Sequence, residues 1–272
     1  MKVRPIVVAL MLAALAGAAQ AGQSCEQKPL TPQALKRGLA LAQQTQAALD
    51  AAHQRDGTRV VVLARAGQDL SAHGLRHSHL GWAYRWPDGT WRVLHKLNEC
   101  GTAQGQLYRQ GLGVFFLDDL WRHEAAWVVP AAELQAPLHA ALSAGERPLR
   151  VHQPAYSMVS YAWGTRYQQS NQWALEALAA MLEPGVTATA NAREPAQAWL
   201  RFKGYQPTRL TVRPLQRLGA RVGTAHIAFD DHPNELRFSD RIDTVTVDSV
   251  FAWMAASGLS GPVQTLALPA TN

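Results

Sequence analysis

Several things are scarce in this chain of 272 residues, and each scarcity removes a class of function. No run of basic residues occurs; the arginines are scattered, so an extended nucleic-acid-binding stripe has no basis. No glycine-rich loop precedes a helical pattern, which leaves nucleotide binding without support. No apolar segment reaches the roughly 20 residues needed to cross a bilayer. No internal repeat or low-complexity tract appears. Cysteine occurs only twice, at Cys25 and Cys100.

What is present begins at the N-terminus. Lys2 and Arg4 precede an apolar run from Ile6 to Leu15, and Ala19-Gln20-Ala21 has the small-x-small form of a signal-peptidase site. Residues 1–21 therefore read as a cleaved secretory signal, with a periplasmic or secreted mature protein starting near Gly22. Loss of this leader, which carries two cations and no acid, lowers the formal charge from +6 to +4. Outside the cytoplasm a Cys25–Cys100 disulfide is the default expectation. The remaining length can bury one large core or two small ones.

Helical periodicity follows Thr31-Pro32, with Leu35, Leu39, Ala42 and Leu49 expected on one face and an end near Asp56-Gly57. The β-branched run from Arg59 to Ala64 reads as a buried strand. Leu80, Trp82, Tyr84 and Trp86 then alternate with His79, Gly81, Ala83 and Arg85, the period of a strand with one bulky face and one small or polar face. Pro87-Asp88-Gly89 supplies a turn. If these three form the loop, Trp86 pairs with Thr90 and His95 falls opposite Gly81. His79 then lies diagonally from His95 on the same face, roughly 7–8 Å away. Gly81 is expected to leave open space beside both rings. Further strands are expected over 125–129, 209–212 and 225–229, and helices over 131–143, 171–183, 194–203 and 247–256. The stretch 184–193 is the candidate linker. The fold class is α+β, an antiparallel sheet packed with helices.

A catalytic base needs a nucleophile in reach and a group to orient it. Ser170 stands where the helix at 171–183 should begin, and a helix start offers free amides and a positive dipole end. In an active version His79 is the base and His95 its orienter. Ser170 is then the nucleophile, or positions a water, and amides near Asn171 and Gln172 hold the oxyanion. The structural alternative for Ser170 is an N-cap, and for each histidine a bond to backbone. Cys100 follows His95 too closely on one strand to form a nucleophile–base pair with it. A metal reading would combine His77, His79 and His95, although no cofactor is expected. Asp230, Asp231 and His232 either add to the site or form a turn, and the turn is preferred. Trp82, Trp86, Trp91, Trp121, Trp127, Trp163, Trp173 and Trp199 can stack on glycan rings or fill the core.

His79-Leu80-Gly81, His95 and Asn171 resemble the elements of the circularly permuted NlpC-type papain-like proteins, among them the lecithin retinol acyltransferase relatives. There a His-x-Gly strand comes first, a polar partner sits on the next strand, and an Asn-Cys pair opens a later helix. Gln172 stands where the cysteine would be. The resemblance implies a papain-like core over residues 22–184 with a C-terminal α/β extension over 185–272, and an altered or silent active site. The chain is more closely similar to a bacterial family, DUF2145. Its pattern is matched by His77-Ser78-His79-Leu80-Gly81, Leu97-Asn98-Glu99-Cys100-Gly101 and the run Tyr167-Gln168-Gln169-Ser170-Asn171-Gln172-Trp173-Ala174-Leu175-Glu176. Ala196-Gln197-Ala198-Trp199-Leu200 and Phe229-Asp230-Asp231-His232-Pro233 complete it. Two functions follow as expectations. One is hydrolysis or transfer at an amide or acyl bond in the cell envelope. The other is a non-catalytic module that holds an envelope peptide, glycan or lipid in the same cleft.

Overall fold

The computed structural model describes residues 29–213 and 226–269. The expected signal segment, Cys25 and Ala225 lie outside them. In chain order the elements are α1 (Pro32–Asp56), β1 (Val60–Ala66), β2 (His79–Arg85), β3 (Trp91–Asn98), β4 (Gly105–Gly111), α2 (Leu112–Phe116) and β5 (Arg122–Val128). There follow α3 (Ala132–Ala144), α4 (Glu146–Arg150), α5 (Ser170–Leu182), α6 (Arg193–Phe202), β6 (Thr208–Thr211), α7 (Asn234–Arg237), β7 (Arg241–Thr244), α8 (Val247–Ala256) and β8 (Gln264–Ala267). The fold is mixed α+β. A six-stranded antiparallel sheet runs in the order β4-β3-β2-β1-β5-β8, and β6 and β7 form a separate pair.

The sheet is covered on both faces, and strand alternation decides what each face carries. Val60, Val62, Leu80, Trp82, Tyr84, Leu94, Ala126 and Val128 pack against α5, which contributes Trp173, Leu175 and Leu178. Val245, Val250, Phe251 and Met254, from α8 and the residues before it, join the same core. Val61, Leu63, Ala83, Trp91, Val93, Ala125 and Trp127 face the other way, onto Leu41 and Leu49 of α1 and Phe115 and Phe116 of α2. Every residue of β1 is buried as a result, which its continuous β-branched run anticipates.

The buried stripe of α1 differs from the one expected. Gly38, Leu41, Ala42, Thr45, Leu49 and Ala52 are buried, whereas Leu35 and Leu39 are 42% and 47% exposed. The reason is a close approach at Gly38, where a Cβ would meet the Phe116 carbonyl oxygen at 2.7 Å. Only a residue without a side chain lets α2 sit that close, and this sets the helix rotation. The helix runs between the expected ends, from the Thr31 cap, which accepts from the Ala34 amide at 3.1 Å, to Gly57 at φ 76°.

The strand expected at 225–229 is not formed in residues 226–229. Ile227 and Phe229 instead pack with Ile242 under the small sheet. Ala228 exchanges hydrogen bonds with the Ser157 hydroxyl, which donates to its carbonyl at 2.9 Å and accepts from its amide at 3.1 Å. Two strands, β4 and β8, carry no alternation clear enough to announce them. No helix among the described residues is long and apolar enough to cross a membrane.

Candidate functional site

The hairpin forms in the expected register. Trp86 and Thr90 close it with a 2.7 Å bond from amide to carbonyl, and the β2–β3 ladder pairs Arg85 with Trp91 and Trp82 with Leu94. Continued by one residue, that register sets Gly81 beside His95. A Cβ on Gly81 would lie 2.7 Å from the His95 Cβ and 2.9 Å from Val93 Cγ1. The glycine is therefore there because the strands are close at this point. It does not leave the open space expected of it.

The two histidines meet as the diagonal predicts. His79 Nε2 and His95 Nδ1 are 2.8 Å apart, and His95 Nε2 is 3.0 Å from Gln110 Oε1. The Gln110 oxygen can only accept, so His95 carries its proton on Nε2 and accepts at Nδ1 from the Nε2–H of His79. The tautomers of both rings follow from β4, the strand that supplies Gln110. Phe115 packs its ring against both imidazoles, and Arg65 lies over the same ring while bonding the Phe115 carbonyl and the Asp118 carboxylate. Burial holds both histidines below their ordinary range, and the Arg65 charge adds to this. His79 is pushed well down and His95 to about 3. Both rings are neutral at physiological pH.

The helix start lies on the other side of the sheet. His79 and His95 share the face of Ala83, Val93 and Phe115, whereas α5 packs on Leu80, Trp82 and Leu94. No hydrogen bond joins Ser170 to either ring among the described residues. The nearest polar partner of its hydroxyl is the Tyr156 phenol, at 3.5 Å. The expected convergence of two rings on a helix start is thus replaced by two centres, one per face. Alternation is the cause, because Asn171 aligns with Leu80 and neighbouring strand residues point oppositely.

Each residue at the start of α5 has a local duty. Asn171 reaches β2 just beyond the end of the β2–β3 ladder, accepting from the Leu80 amide at 3.0 Å and donating to the Ser78 carbonyl at 3.2 Å. Its own amide donates to Gln169 Oε1 at 2.8 Å, so it is not available to an oxyanion. Gln172 accepts from the Ser160 hydroxyl at 2.7 Å and donates to the carbonyls of Tyr161, Ala162 and Gly164. It fastens the segment 160–164 to the helix.

On this face stands a buried network that sequence reasoning missed. Lys96, next to His95 and so aimed at the opposite side, donates to the Gln153 carbonyl and to Gln168 Oε1. Burial first, with the Arg193 charge next, pulls its ammonium down to about 7. Gln168 also donates to Glu176 at 2.6 Å, and Glu176 accepts two bonds from Arg193 and one from Gln197. A Cβ on Gly105 would meet Lys96 Cε at 2.8 Å and Tyr156 Cδ2 at 2.9 Å, which is why glycine begins β4. The available signal was Lys96 itself, a cation inside an apolar strand.

The other candidates fall elsewhere. His77 Nε2 lies 2.9 Å from Glu124 Oε1, so it does not join His79 and His95. No group of three or more histidine, cysteine or acidic side chains gathers as a metal site among the described residues. No cysteine among them is a free thiol. Asp231 accepts from the Tyr161 amide at 2.9 Å and from His232 at 3.1 Å, and Asp230 pairs with Arg166 at 2.7 Å. These residues make the preferred turn and brace the segment that Gln172 holds. Trp82, Trp91, Trp127 and Trp173 are buried in the core, whereas Trp121 is 56% exposed.

A family described as an uncharacterized protein conserved in bacteria (DUF2145) matches residues 52–254, well over half of the chain. No curated protein and no solved structure matches it. The chain belongs to the DUF2145 family.

Proposed function

From this membership and the two-sided geometry, we propose that the protein is an exported, non-catalytic binding module of the cell envelope. One observation carries the reading. The position after Asn171, where a papain-like relative would place its cysteine, is Gln172, and its amide is fully engaged by Ser160 and three carbonyls. The neighbouring Ser170 has a phenol beside it, and a serine hydroxyl without an activating base is inert at neutral pH. The histidine pair then acts as an internal clasp between β2 and β3.

The test is active-site labelling. Purified protein exposed to a fluorophosphonate probe is expected to carry no adduct on Ser170 and to turn over no acyl or amide substrate in a panel. An adduct that disappears in Ser170→Ala would overturn the reading.

A second reading, amide or acyl transfer with His79 as base, is favoured by one feature. With its Nε2 proton given to His95, His79 keeps Nδ1 as an acceptor with no partner among the described residues. That reading requires turnover abolished by His79→Ala and reduced by His95→Ala.

A further inference from the structure

A groove of about 560 Å³ runs between the start of α1, the residues that open β5, and β8. Its lining includes Gln33, Arg37, Trp121, Arg122 and His123. We propose that this groove binds a saccharide bearing carboxylates, which gives a ligand class to the binding reading above and rests on it.

The charges are arranged for an anion. Arg37 donates through Nε to His123 Nδ1 at 3.3 Å, and Arg122 donates to the Arg76 carbonyl at 3.2 Å. Both guanidinium groups are thus positioned by neutral acceptors, and no ion pair neutralises either among the described residues. Acceptance at Nδ1 leaves the His123 proton on Nε2, where the Ala34 backbone takes it, and burial together with the Arg37 charge holds the ring below its ordinary range; His123 thus fixes Arg37 and is not itself a donor to the groove. The one acidic residue in the lining, Glu124, is buried and already held by Arg76 through two bonds. The groove therefore offers two planar cations without a direct ion pair, Arg37 and Arg122, the second shared at longer range with Glu124 and Asp69, and a guanidinium fork is suited to a carboxylate.

The ring-binding element is Trp121. It is the one tryptophan among the large exposed apolar side chains, at 56%, and its amide is fixed to the Gly67 carbonyl at 3.3 Å. An indole held at the wall of a polar groove presents a flat apolar face to the C–H side of a pyranose while its edge stays wet. Gln33 and Thr31, also in the lining, supply donors and acceptors for hydroxyl groups. An acidic peptide would satisfy the guanidinium groups but would make no use of the indole face.

Calorimetric titration of the full chain with an oligogalacturonate decides the matter. Its methyl ester and a glutamate oligomer serve as comparators. Saturable binding is expected for the acid saccharide, weakened by about tenfold or more in each of Arg37→Gln, Arg122→Gln and Trp121→Ala, with the melting temperature unchanged. Equal binding of the ester, equal binding of the glutamate oligomer, or affinity unaffected by these substitutions overturns the proposal. So does no binding at all. If that occurs while Ser170 still takes no probe, the groove assignment fails alone; if Ser170 is labelled, the binding reading fails first.

Discussion

Each face of the central sheet buries a polar cluster, and the histidine pair on one side handles charge in the opposite way from the Glu176 network on the other. On the α1 side, His79 and His95 are kept uncharged and share one proton-donating chain to Gln110. On the α5 side, Glu176 and Arg193 are joined by two bonds inside the protein, with Gln168 and Gln197 filling the remaining acceptor positions. An imidazole can leave its charge in water by giving up a proton near neutral pH, whereas a guanidinium cannot. The histidine pair accordingly needs only one acceptor at its end, whereas Arg65, the buried guanidinium on the same face, keeps the Asp118 carboxylate. The Glu176 network needs a carboxylate with every lone pair occupied, because a buried charge with one partner removed is expensive.

The sharpest way to break the contrast is Glu176→Gln. It keeps the shape and leaves Arg193 buried without a counter-charge, so a loss of about 3–5 kcal/mol in urea-induced unfolding is expected. A loss below about 1 kcal/mol would mean that Arg193 finds water and that the two clusters do not differ as described.

Acid acts on the other face. The folded pKa of His95 lies at about 3, below its unfolded value of about 6.5. The unfolded chain therefore binds more protons between those limits, and stability contributed by the neutral ring is complete above about pH 6.5 and lost as pH falls towards 3. By pH 5 the loss from His95 alone is about 2 kcal/mol. His95→Gln should flatten that part of the stability–pH curve more than Lys96→Met, which acts on the acid slope only through His152, a ring that burial first and the Lys96 charge next hold at about 4.

Gly81→Ala tests the spacing of the strands that carry the pair. The added methyl meets His95, Val93 and the Leu94 carbonyl at 3.0 Å or less, so a loss of about 1–3 kcal/mol is expected in the same unfolding assay. A neutral result would restore the idea of vacant room beside the rings.

The hairpin was legible in the sequence because its information is local. Alternation from His79 to Trp86 and the turn at Pro87-Asp88-Gly89 fix the register, and the register alone brings His79 to His95. The start of α5 was legible to within one residue. What alternation also contained, but only for a reader who tracked both strands against the helix, is that Asn171 sits over Leu80 and so away from His79. The Lys96–Gln168–Glu176–Arg193 network was not legible. Its members lie far apart in the chain and meet only once the sheet and α5 have packed. Gln110 was hidden for a related reason, since β4 has one edge in solvent and a polar composition that gives no period.

The amide of Asn171 supplies one donor and one acceptor to the backbone around His79 at the place where β2 and β3 cease to pair. A side chain there stands in for a missing peptide unit, and the first turn of a helix on one side becomes a hinge pin for the strand that bears an imidazole on the other. Any displacement of that turn must pull on the main chain next to His79, so the opposite surfaces of the sheet are mechanically geared through a single carboxamide.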